Sequence, residues 1–334
     1  MPENKLTRRD LLRADAAALA STALALAPRA SGEGREPASS MPCGLIGGVK
    51  ISRMILGSNP MGGGAHSRDL IYVSRLMKEY NTEERLFNLL QNAEAEGVNT
   101  IMQGSTALIR KYNAQRGGRL QQILPLFLPR EGEVKEEEIK ALIDKPVQQG
   151  AAALYVFGDT GDYLARNDRV DIAAKALEVA RKMGVVLGVG GHSLDIVLQC
   201  EKQGLKPAFY FKTFHHDNYW SATPKANREP FCWYDGKGGN SYSGKMNDHN
   251  RFHDNIWCLN PEETIRVMSK VQAPWIAFKV LAGGAIHPKD GFDFAFRNGA
   301  DFVAVGMFDF QVRENAEITR DCLARLQKRE RRFS

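Results

Sequence analysis

Residues 44–57 read GLIGGVKISRMILG and contain two different patterns. In the first, Gly47-Gly48 lies between two short apolar runs, which predicts a small β-hairpin. In the second, the apolar run at 53–57 predicts a buried strand. Runs of this second kind recur along the chain with helical patterns between them. The stretch therefore predicts the first strand of a repeating strand–helix fold.

Eight apolar runs alternate with eight helical patterns from residue 53 to residue 328. The runs predict strands at 53–57, 99–103, 123–128, 153–157, 185–189, 209–213, 275–281 and 301–306. The patterns predict helices at 82–96, 107–116, 133–149, 169–183, 194–202, 261–271, 289–298 and 312–328. Eight strands that are each followed by a helix predict an α/β fold, the (β/α)8 TIM barrel. No G-x-G-x-x-G pattern follows the first strand, which argues against an open doubly wound sheet.

The amino terminus has the pattern of a twin-arginine signal peptide. Residues 7–13 read TRRDLLR, and the alanine-rich apolar stretch 14–27 follows them. Ala25-Leu26-Ala27 is a small-residue motif of the kind that precedes a cleavage site. We therefore expect residues 1–30 to be a signal peptide that the Tat export machinery reads.

The remaining chain divides into a linker at 31–43 and the barrel domain at 44–334. A protein exported in this way is expected in the periplasm or outside the cell. The apolar stretch of the signal is shorter than the roughly eighteen residues of a membrane span, so no stable membrane insertion is expected after cleavage. Residues 1–30 hold five bases and three acids, so their removal lowers the net charge of +6 by two, to +4. This modest excess predicts no nucleic-acid partner.

Residues 216–259 form a long insertion after the sixth predicted strand. They are rich in aromatic residues, and they belong to the carboxyl-terminal face, where barrel enzymes hold their active sites. We expect a lid that covers a small-molecule substrate; a partner-binding loop is the alternative. Cys232 and Cys258 both lie in this insertion, which makes them the candidate disulfide if the protein is exported.

Four segments of the barrel region carry a family resemblance. They are residues 51–57 (ISRMILG), 93–101 (AEAEGVNTI), 280–284 (VLAGG) and 305–315 (VGMFDFQVREN). Together they resemble the aldo/keto reductase family over almost the whole mature chain. The resemblance implies a TIM barrel that reduces carbonyl groups with NADPH. It also implies cofactor contacts from the last two segments, at Gly283, Gly284, Gly306 and Asn315.

The catalytic Asp, Tyr, Lys and His of that family are missing from the matching positions. These positions hold Met102, Ala107, Leu128-Pro129 and Gly158. Without the Tyr acid and its Lys partner, the alkoxide formed by hydride transfer has no evident proton donor. NADPH reduction is therefore the less favoured reaction. The glycines after strands seven and eight also fit a phosphate cradle or simple tight turns.

Lys212 and Lys279 lie in apolar strand sequences, FYFKTF and IAFKVL. Side chains alternate between the two faces of a strand. If Ile276 and Phe278 face the helices, Ala277 and Lys279 face the lumen, and Lys212 is expected to do the same. A buried ammonium group has a lowered pKa and can act as a base, an acid or a Schiff-base nucleophile. An ion pair with a barrel carboxylate is the alternative.

His192, His215 and Asp159 follow neighbouring strands and are predicted to meet at the rim of the barrel. They are candidates for acid–base groups or for ligands of a divalent metal. Hydrogen-bonding or substrate-positioning roles for the two histidines are the alternative. His249 and His253 form a second candidate pair, with a solvated loop as its alternative.

These patterns predict an enzyme that acts on a small carbonyl-bearing or sugar-like substrate, with Lys279, Lys212, His215 and Asp159 as catalytic residues. The cofactor is open between a divalent metal and, less favoured, NADPH. One alternative is an NADPH-dependent oxidoreductase with a rearranged proton donor, such as Tyr112 or His215. Another is a non-catalytic exported barrel that binds carbohydrate or a partner protein.

Overall fold

A closed barrel of eight parallel strands forms the centre of the computed structural model, which describes residues 40–65, 70, 72–228, 233–234, 253–254, 257–326, 329, 331 and 333. The strands are β1 (Cys43–Ile46), β2 (Val49–Ser52), β3 (Met54–Gly57), β4 (Thr100–Met102), β5 (Gln121–Leu126), β6 (Ala151–Val156), β7 (Leu187–Gly191), β8 (Tyr210–Thr213), β9 (Trp233–Tyr234), β10 (His253–Asp254), β11 (Trp275–Phe278) and β12 (Phe302–Gly306). Strands β3 to β8 follow one another around the barrel, and β11 and β12 close it between β8 and β3. The predicted (β/α)8 fold is confirmed.

The predicted N-terminal hairpin is also confirmed. β1 and β2 pair antiparallel, and the turn between them has φ 55° at Gly47 and 83° at Gly48. Glycine adopts these values without the clash that a Cβ atom causes. Ile46 and Ile51 are fully buried among the side chains that fill the barrel lumen. Because the hairpin leads directly into β3, it covers the amino-terminal end of the lumen and leaves the carboxyl-terminal end for a site.

Ten α-helices are present in the described residues. They are α1 (Tyr72–Tyr80), α2 (Glu83–Ala95), α3 (Thr106–Arg116), α4 (Glu136–Gln148), α5 (Gly158–Arg166), α6 (Val170–Lys182), α7 (Asp195–Lys202), α8 (Pro261–Met268), α9 (Pro288–Arg297) and α10 (Val312–Arg325). All eight predicted helices occur, with ends shifted by up to three residues, while α1 and α5 are additional. None of these helices is both long and apolar enough to cross a membrane.

The core has two layers, as strand alternation requires. One layer lies between barrel and helices, where alternate strand residues such as Leu154 and Trp275 meet the apolar faces of the helices. The other fills the lumen with large side chains, including Tyr155, Phe211 and Ile276. These lumen side chains form the floor on which the candidate site lies.

Candidate active site

A cavity of about 290 Å³ opens at the carboxyl-terminal end of the barrel. Its wall takes residues from the ends of β3, β4, β6, β7, β11 and β12 and from the loops that follow them. This is the face at which barrel enzymes hold their active sites. The volume is at the lower end of the range for ligand pockets, which indicates a small ligand.

Aromatic side chains form the floor of the cavity. The rings of Phe211 and Phe278 are stacked, with centroids 4.0 Å apart and planes inclined by 15°. Tyr155 meets Phe211 edge to face at 4.9 Å, and His192 meets Phe278 in the same way at 5.4 Å. The floor is therefore a flat apolar surface with a phenol and an imidazole at its edges.

A buried histidine–aspartate pair lies beside this floor. His192 follows β7, and its Nδ1 lies 2.8 Å from Oδ2 of Asp162 on α5. Asp162 is fully buried and also accepts hydrogen bonds from the backbone N–H groups of His192 and Ser193. Because the carboxylate accepts from Nδ1, the neutral ring carries its lone pair on Nε2. This is the geometry of an oriented general base.

Glycines explain how α5 brings Asp162 to His192. A Cβ atom on Gly161 would lie 2.1 Å from the carbonyl oxygen of Gly190 in β7. A Cβ atom on Gly190 would lie 2.6 Å from the carbonyl oxygen of Val156 in β6 and 3.1 Å from the backbone nitrogen of Gly158, the first residue of α5. Real Cβ atoms do not come this close to backbone, so only glycines permit the contact between α5 and β7.

Burial lowers the pKa of His192, and the positive charge of Lys279 lowers it further. The hydrogen bond and the negative charge of Asp162 act in the opposite direction. Since the burial effect is the largest, His192 is neutral at neutral pH, which is the form that can accept a proton.

Lys279 reaches the cavity through an unusual backbone conformation. β11 ends at Phe278, and Lys279 follows with φ 55°, a value rare for residues other than glycine. Its side chain lines the cavity, and Nζ lies 4.4 Å from the centre of the Trp257 ring. Lys279 thus lies at the mouth of the lumen as predicted, although strand alternation does not place it there.

Gln103 is a second cavity residue with left-handed backbone, at φ 63°. Its carbonyl accepts a hydrogen bond from Nε2 of Gln122, and its own Nε2 donates to the hydroxyl of Tyr155. Strained backbone of this kind concentrates at functional sites. The arrangement fixes the orientation of a phenol inside the cavity.

The predicted orientation of Lys212 is wrong. Lys212 pairs in register with Ala277, which packs between barrel and helices, while Ile276 faces the lumen. Ile276 and Phe278 therefore face the lumen, opposite to the prediction, and Lys212 points away from it. Lys212 Nζ donates to the carbonyl and hydroxyl oxygens of Thr213, and the Thr213 hydroxyl donates to the carbonyl of His192. Its observed contacts are structural.

His215 is also placed outside the cavity wall, contrary to the prediction. Its Nδ1–H donates to the carbonyl oxygen of His216 at 2.7 Å, and Nε2 accepts the backbone N–H of Cys258 at 3.0 Å. Burial, opposed by that carbonyl, lowers the pKa of His215 to about 3. With both ring nitrogens engaged, His215 anchors the end of the insertion rather than facing a substrate.

The predicted metal set of His192, His215 and Asp159 does not come together. Asp159 is buried and forms an ion pair with Arg130, with Oδ2 and Nη2 2.5 Å apart. Among the described residues, no three His, Cys, Asp or Glu side chains are placed to hold a metal ion. Of the second candidate pair, His249 lies outside the described residues.

Three of the four predicted cofactor residues, Gly283, Gly284 and Gly306, line the cavity. A Cβ atom on Gly306 would lie 2.6 Å from Cδ of Pro60, so packing alone accounts for this glycine. Asn315 is buried within α10, and its amide faces Sδ of Met307 at 3.6 Å. Asn315 does not line the cavity, and the cofactor role of the three glycines stays a prediction.

Tyr112, the other suggested proton donor, lies away from the cavity. It is buried, and its hydroxyl donates to Oε2 of Glu94 at 2.5 Å. Burial and this carboxylate raise the pKa of Tyr112. The prediction that it protonates a substrate is therefore wrong.

The end of the insertion forms part of the cavity wall through Trp257. The carbonyl of Trp257 accepts a hydrogen bond from the Thr213 hydroxyl at 3.2 Å. The expected covering role of the insertion stays a prediction, since residues 229–232, 235–252 and 255–256 lie outside the described part. Cys258 is a buried free thiol, and its suggested partner Cys232 also lies outside that part.

Sequence reasoning missed Asp162, Tyr155 and Gln103, which contribute to the cavity and to its histidine–aspartate pair. A signal existed for Asp162, since residues 158–162 read GDTGD directly after a strand. Glycines and aspartates clustered in this way are typical of a turn between a strand and the next element. No comparable signal marks Tyr155, which reads as an ordinary strand residue.

Comparison with known proteins shows the fold. No family model and no curated protein matches the chain. Two solved structures described as aldo-keto reductases of Pseudomonas aeruginosa are similar in fold. One aligns with a TM-score of 0.53 and 12% identity, covering 88% of this chain and 99% of its own. The other aligns with a TM-score of 0.52 and 12% identity, covering 84% and 94%.

Proposed function

We propose that this barrel is an acid–base enzyme that moves a proton at the carbon next to the carbonyl group of a small substrate. The observation that carries the proposal is the buried Asp162–His192 pair at an apolar cavity that also holds Lys279. A neutral, oriented imidazole beside an ammonium group supplies the two functions that enolisation needs. One is a base for the C–H bond, and the other is a positive charge for the oxygen.

In the proposed step, Nε2 of His192 takes the proton from carbon. The C–H electron pair forms the C=C bond of an enolate, and the carbonyl oxygen gains the negative charge. The ammonium group of Lys279 stabilises that oxygen. Asp162 keeps the Nδ1–H in place and stabilises the imidazolium that forms. Return of the proton to carbon or to oxygen completes an exchange or a tautomerisation without any other reactant.

Tyr155 and the aromatic floor support this chemistry. The Tyr155 hydroxyl, held by Gln103, lines the same cavity and is the second group able to donate a hydrogen bond to a substrate oxygen. The stacked rings of Phe211 and Phe278 make the floor apolar, which disfavours water there. Exclusion of water strengthens the attraction between an ammonium group and an enolate.

Hydrogen–deuterium exchange tests the proposal. The full barrel domain is incubated in D2O with a panel of small ketones, aldehydes, oxo acids and sugars, and loss of the proton signal next to the carbonyl is followed by NMR. His192→Gln and Asp162→Asn are expected to slow the exchange by about 100-fold or more. Lys140→Met, at an exposed lysine on α4, is the matched control for Lys279→Met. Undiminished exchange in His192→Gln, or carbonyl reduction coupled to NADPH oxidation, contradicts the proposal.

We also propose that the chain is exported by the twin-arginine route. The support is the TRRDLLR motif at 7–13 and the alanine-rich stretch 14–27. When the full chain is expressed in a host with a Tat system, we expect to find the protein in the periplasmic fraction, without its signal peptide. Changing Arg8 and Arg9 together to lysine is expected to keep it in the cytoplasm, while Arg13→Lys serves as the control. Export of the double variant at the normal level contradicts the assignment.

A further inference from the structure

One buried hydroxyl group contacts the backbone of two residues in the cavity wall. Thr213 is the last residue of β8, is fully buried, and pairs in register with Phe278 of the aromatic floor. Its Oγ1 lies 2.8 Å from the carbonyl oxygen of His192 and 3.2 Å from that of Trp257. His192 and Trp257 line the cavity, whereas Thr213 is not among the residues that line it. Any effect of Thr213 on the site therefore passes through these two residues.

Lys212 fixes the direction of the hydrogen bonds at this hydroxyl. The buried Nζ of Lys212 lies 2.8 Å from Oγ1 of Thr213 and 2.8 Å from the carbonyl oxygen of the same residue. An ammonium group donates hydrogen bonds and accepts none, so Oγ1 is the acceptor in this contact. The single hydroxyl proton of Thr213 is then left for a carbonyl oxygen. Since hydrogen bonds in a chain polarise one another, a hydroxyl that accepts from a cation is also a stronger donor.

The distances assign this proton to His192. A separation of 2.8 Å is typical of an O–H donor, while the 3.2 Å to Trp257 is long for one. The remaining polar groups of His192 next to the backbone are held by Asp162, which accepts both the backbone N–H and the Nδ1–H. Asp162 therefore holds His192 from the side of α5, and Thr213 holds it from the side of β8.

His192 needs this second contact because strand pairing does not hold it. The pairing of β7 with β8 ends at Gly191, one residue before His192. A side chain moves with the backbone that carries it, so the position of Nε2 depends on both the carboxylate of Asp162 and the hydroxyl of Thr213. A misplacement of about 1 Å at a reacting group can lower a rate by about 100-fold.

We propose that Thr213 is a positioning residue of this site, and that its hydroxyl fixes the place of Nε2 of His192. This inference rests on the proposed function, in which His192 is the base. Without the hydroxyl, the carbonyl oxygens of His192 and Trp257 lose a shared donor, and the backbone that carries the base can shift. The role requires a hydroxyl group at residue 213, so serine should replace threonine and valine should not.

The first test needs no substrate. In proton NMR, the Nδ1–H of His192 is expected as a downfield signal that is protected from solvent by burial and by its bond to Asp162. Its absence in His192→Gln assigns it. Thr213→Val keeps the shape of the side chain but removes the hydroxyl, and it is expected to shift or abolish the signal. Thr213→Ser is expected to keep the signal of the wild-type protein. Thr213→Ala replaces the valine variant if that variant does not fold.

Thr319→Val is the matched control. Thr319 is also fully buried, and its hydroxyl donates to the carbonyl oxygen of Asn315 at 2.8 Å. Both residues lie within α10, and neither lines the cavity. This change removes the same kind of hydrogen bond and is expected to leave the His192 signal unchanged. A role of Thr213 in stability alone predicts that both valine variants unfold at lower urea concentration and that both keep the signal.

Hydrogen–deuterium exchange next to the carbonyl group then measures the effect on the reaction. Thr213→Val is expected to lower kcat by about 10- to 100-fold. KM should change little, because the hydroxyl does not touch the substrate. Thr213→Ser is expected to restore most of the rate, and Thr319→Val is expected to retain it.

The outcomes keep the two proposals apart. An unchanged His192 signal in Thr213→Val, or an equal change in Thr213→Ser, overturns the positioning role whether or not the protein catalyses exchange. A signal altered in the valine variant and kept in the serine variant, without exchange of any substrate in the wild-type protein, supports the positioning role and overturns the proposed function. Exchange in Thr213→Val at the wild-type rate overturns the positioning role and leaves the proposed function standing.

Discussion

Acid should destabilise this protein through His215. The ring is fully buried, and it holds Cys258 through an acceptor nitrogen that protonation would convert to a donor. Burial lowers the pKa of His215 to about 3 in the folded state, against an ordinary value of about 6.5 in the unfolded chain. Because the folded-state pKa is the lower one, the stabilising contribution is present above pH 6.5 and is lost as the pH falls.

The size of the loss follows from the two pKa values. Between pH 6.5 and pH 5 the unfolded chain binds a proton at His215, while the folded protein does not. Over this interval of about 1.5 pH units, at about 1.36 kcal/mol per unit, the free energy of unfolding falls by about 2 kcal/mol. His192 adds to the total acid sensitivity in the same direction, since burial lowers its pKa too.

The assay is urea unfolding followed by tryptophan fluorescence at pH 7 and at pH 5. His215→Gln is expected to be less stable at pH 7 but to lose about 2 kcal/mol less than the wild-type protein between the two pH values. The control is His287→Asn, at an exposed histidine that caps the amino terminus of α9. If wild type and His215→Gln lose the same stability on acidification, the neutral, buried state of His215 is refuted.

Three further substitutions test the site. Gly161→Ala places a Cβ atom 2.1 Å from the carbonyl oxygen of Gly190. We expect this change to lower the free energy of unfolding, measured in urea, by about 3 kcal/mol. A loss below about 1 kcal/mol would contradict the contact. Asp162→Asn removes the acceptor of the His192 Nδ1–H, so exchange activity should fall by about 100-fold with the helical circular dichroism retained. Tyr155→Phe removes one hydrogen-bond donor and should slow exchange about tenfold. The substrate concentration that gives half the maximal rate should not rise. An exchange rate equal to that of the wild-type protein would exclude the phenol from the reaction.

The barrel was predictable from the sequence because its signals are local and repeated. Each strand is a short apolar run, and each predicted helix shows its own apolar face, as at 82–96 and 169–183. The helices also begin at capping residues. One example is Thr82, whose side chain accepts a hydrogen bond from the backbone N–H of Arg85. An error at the end of one strand or helix does not change the number of strand–helix units, which is what predicts the barrel.

Which side chains of each strand point to the lumen, and which to the helices, was not predictable in the same way. Both faces of a parallel barrel strand are buried, so polarity does not distinguish the lumen from the helix layer. In strand seven, bulk suggested that Ile276 faces the helices, but the lumen of this barrel needs large side chains to fill it. Because of this error, the side chain of Lys212 was predicted to face the lumen, which is wrong. Lys279 does reach the mouth of the lumen, but only because its backbone leaves the strand conformation, with φ 55°.

The base of the proposed reaction depends on a contact that no local pattern encodes. Asp162 lies on α5, which follows β6 without a loop, and His192 lies thirty residues further along the chain. They meet because Gly161 and Gly190 let a helix touch a neighbouring strand. A sequence displays the glycines and the two polar residues, but which glycine opposes which is set by the barrel as a whole. The position of Asp162 beside His192 is therefore set by tertiary packing. It can be found from the order of the strands in the barrel, but not from the spacing of motifs in the sequence.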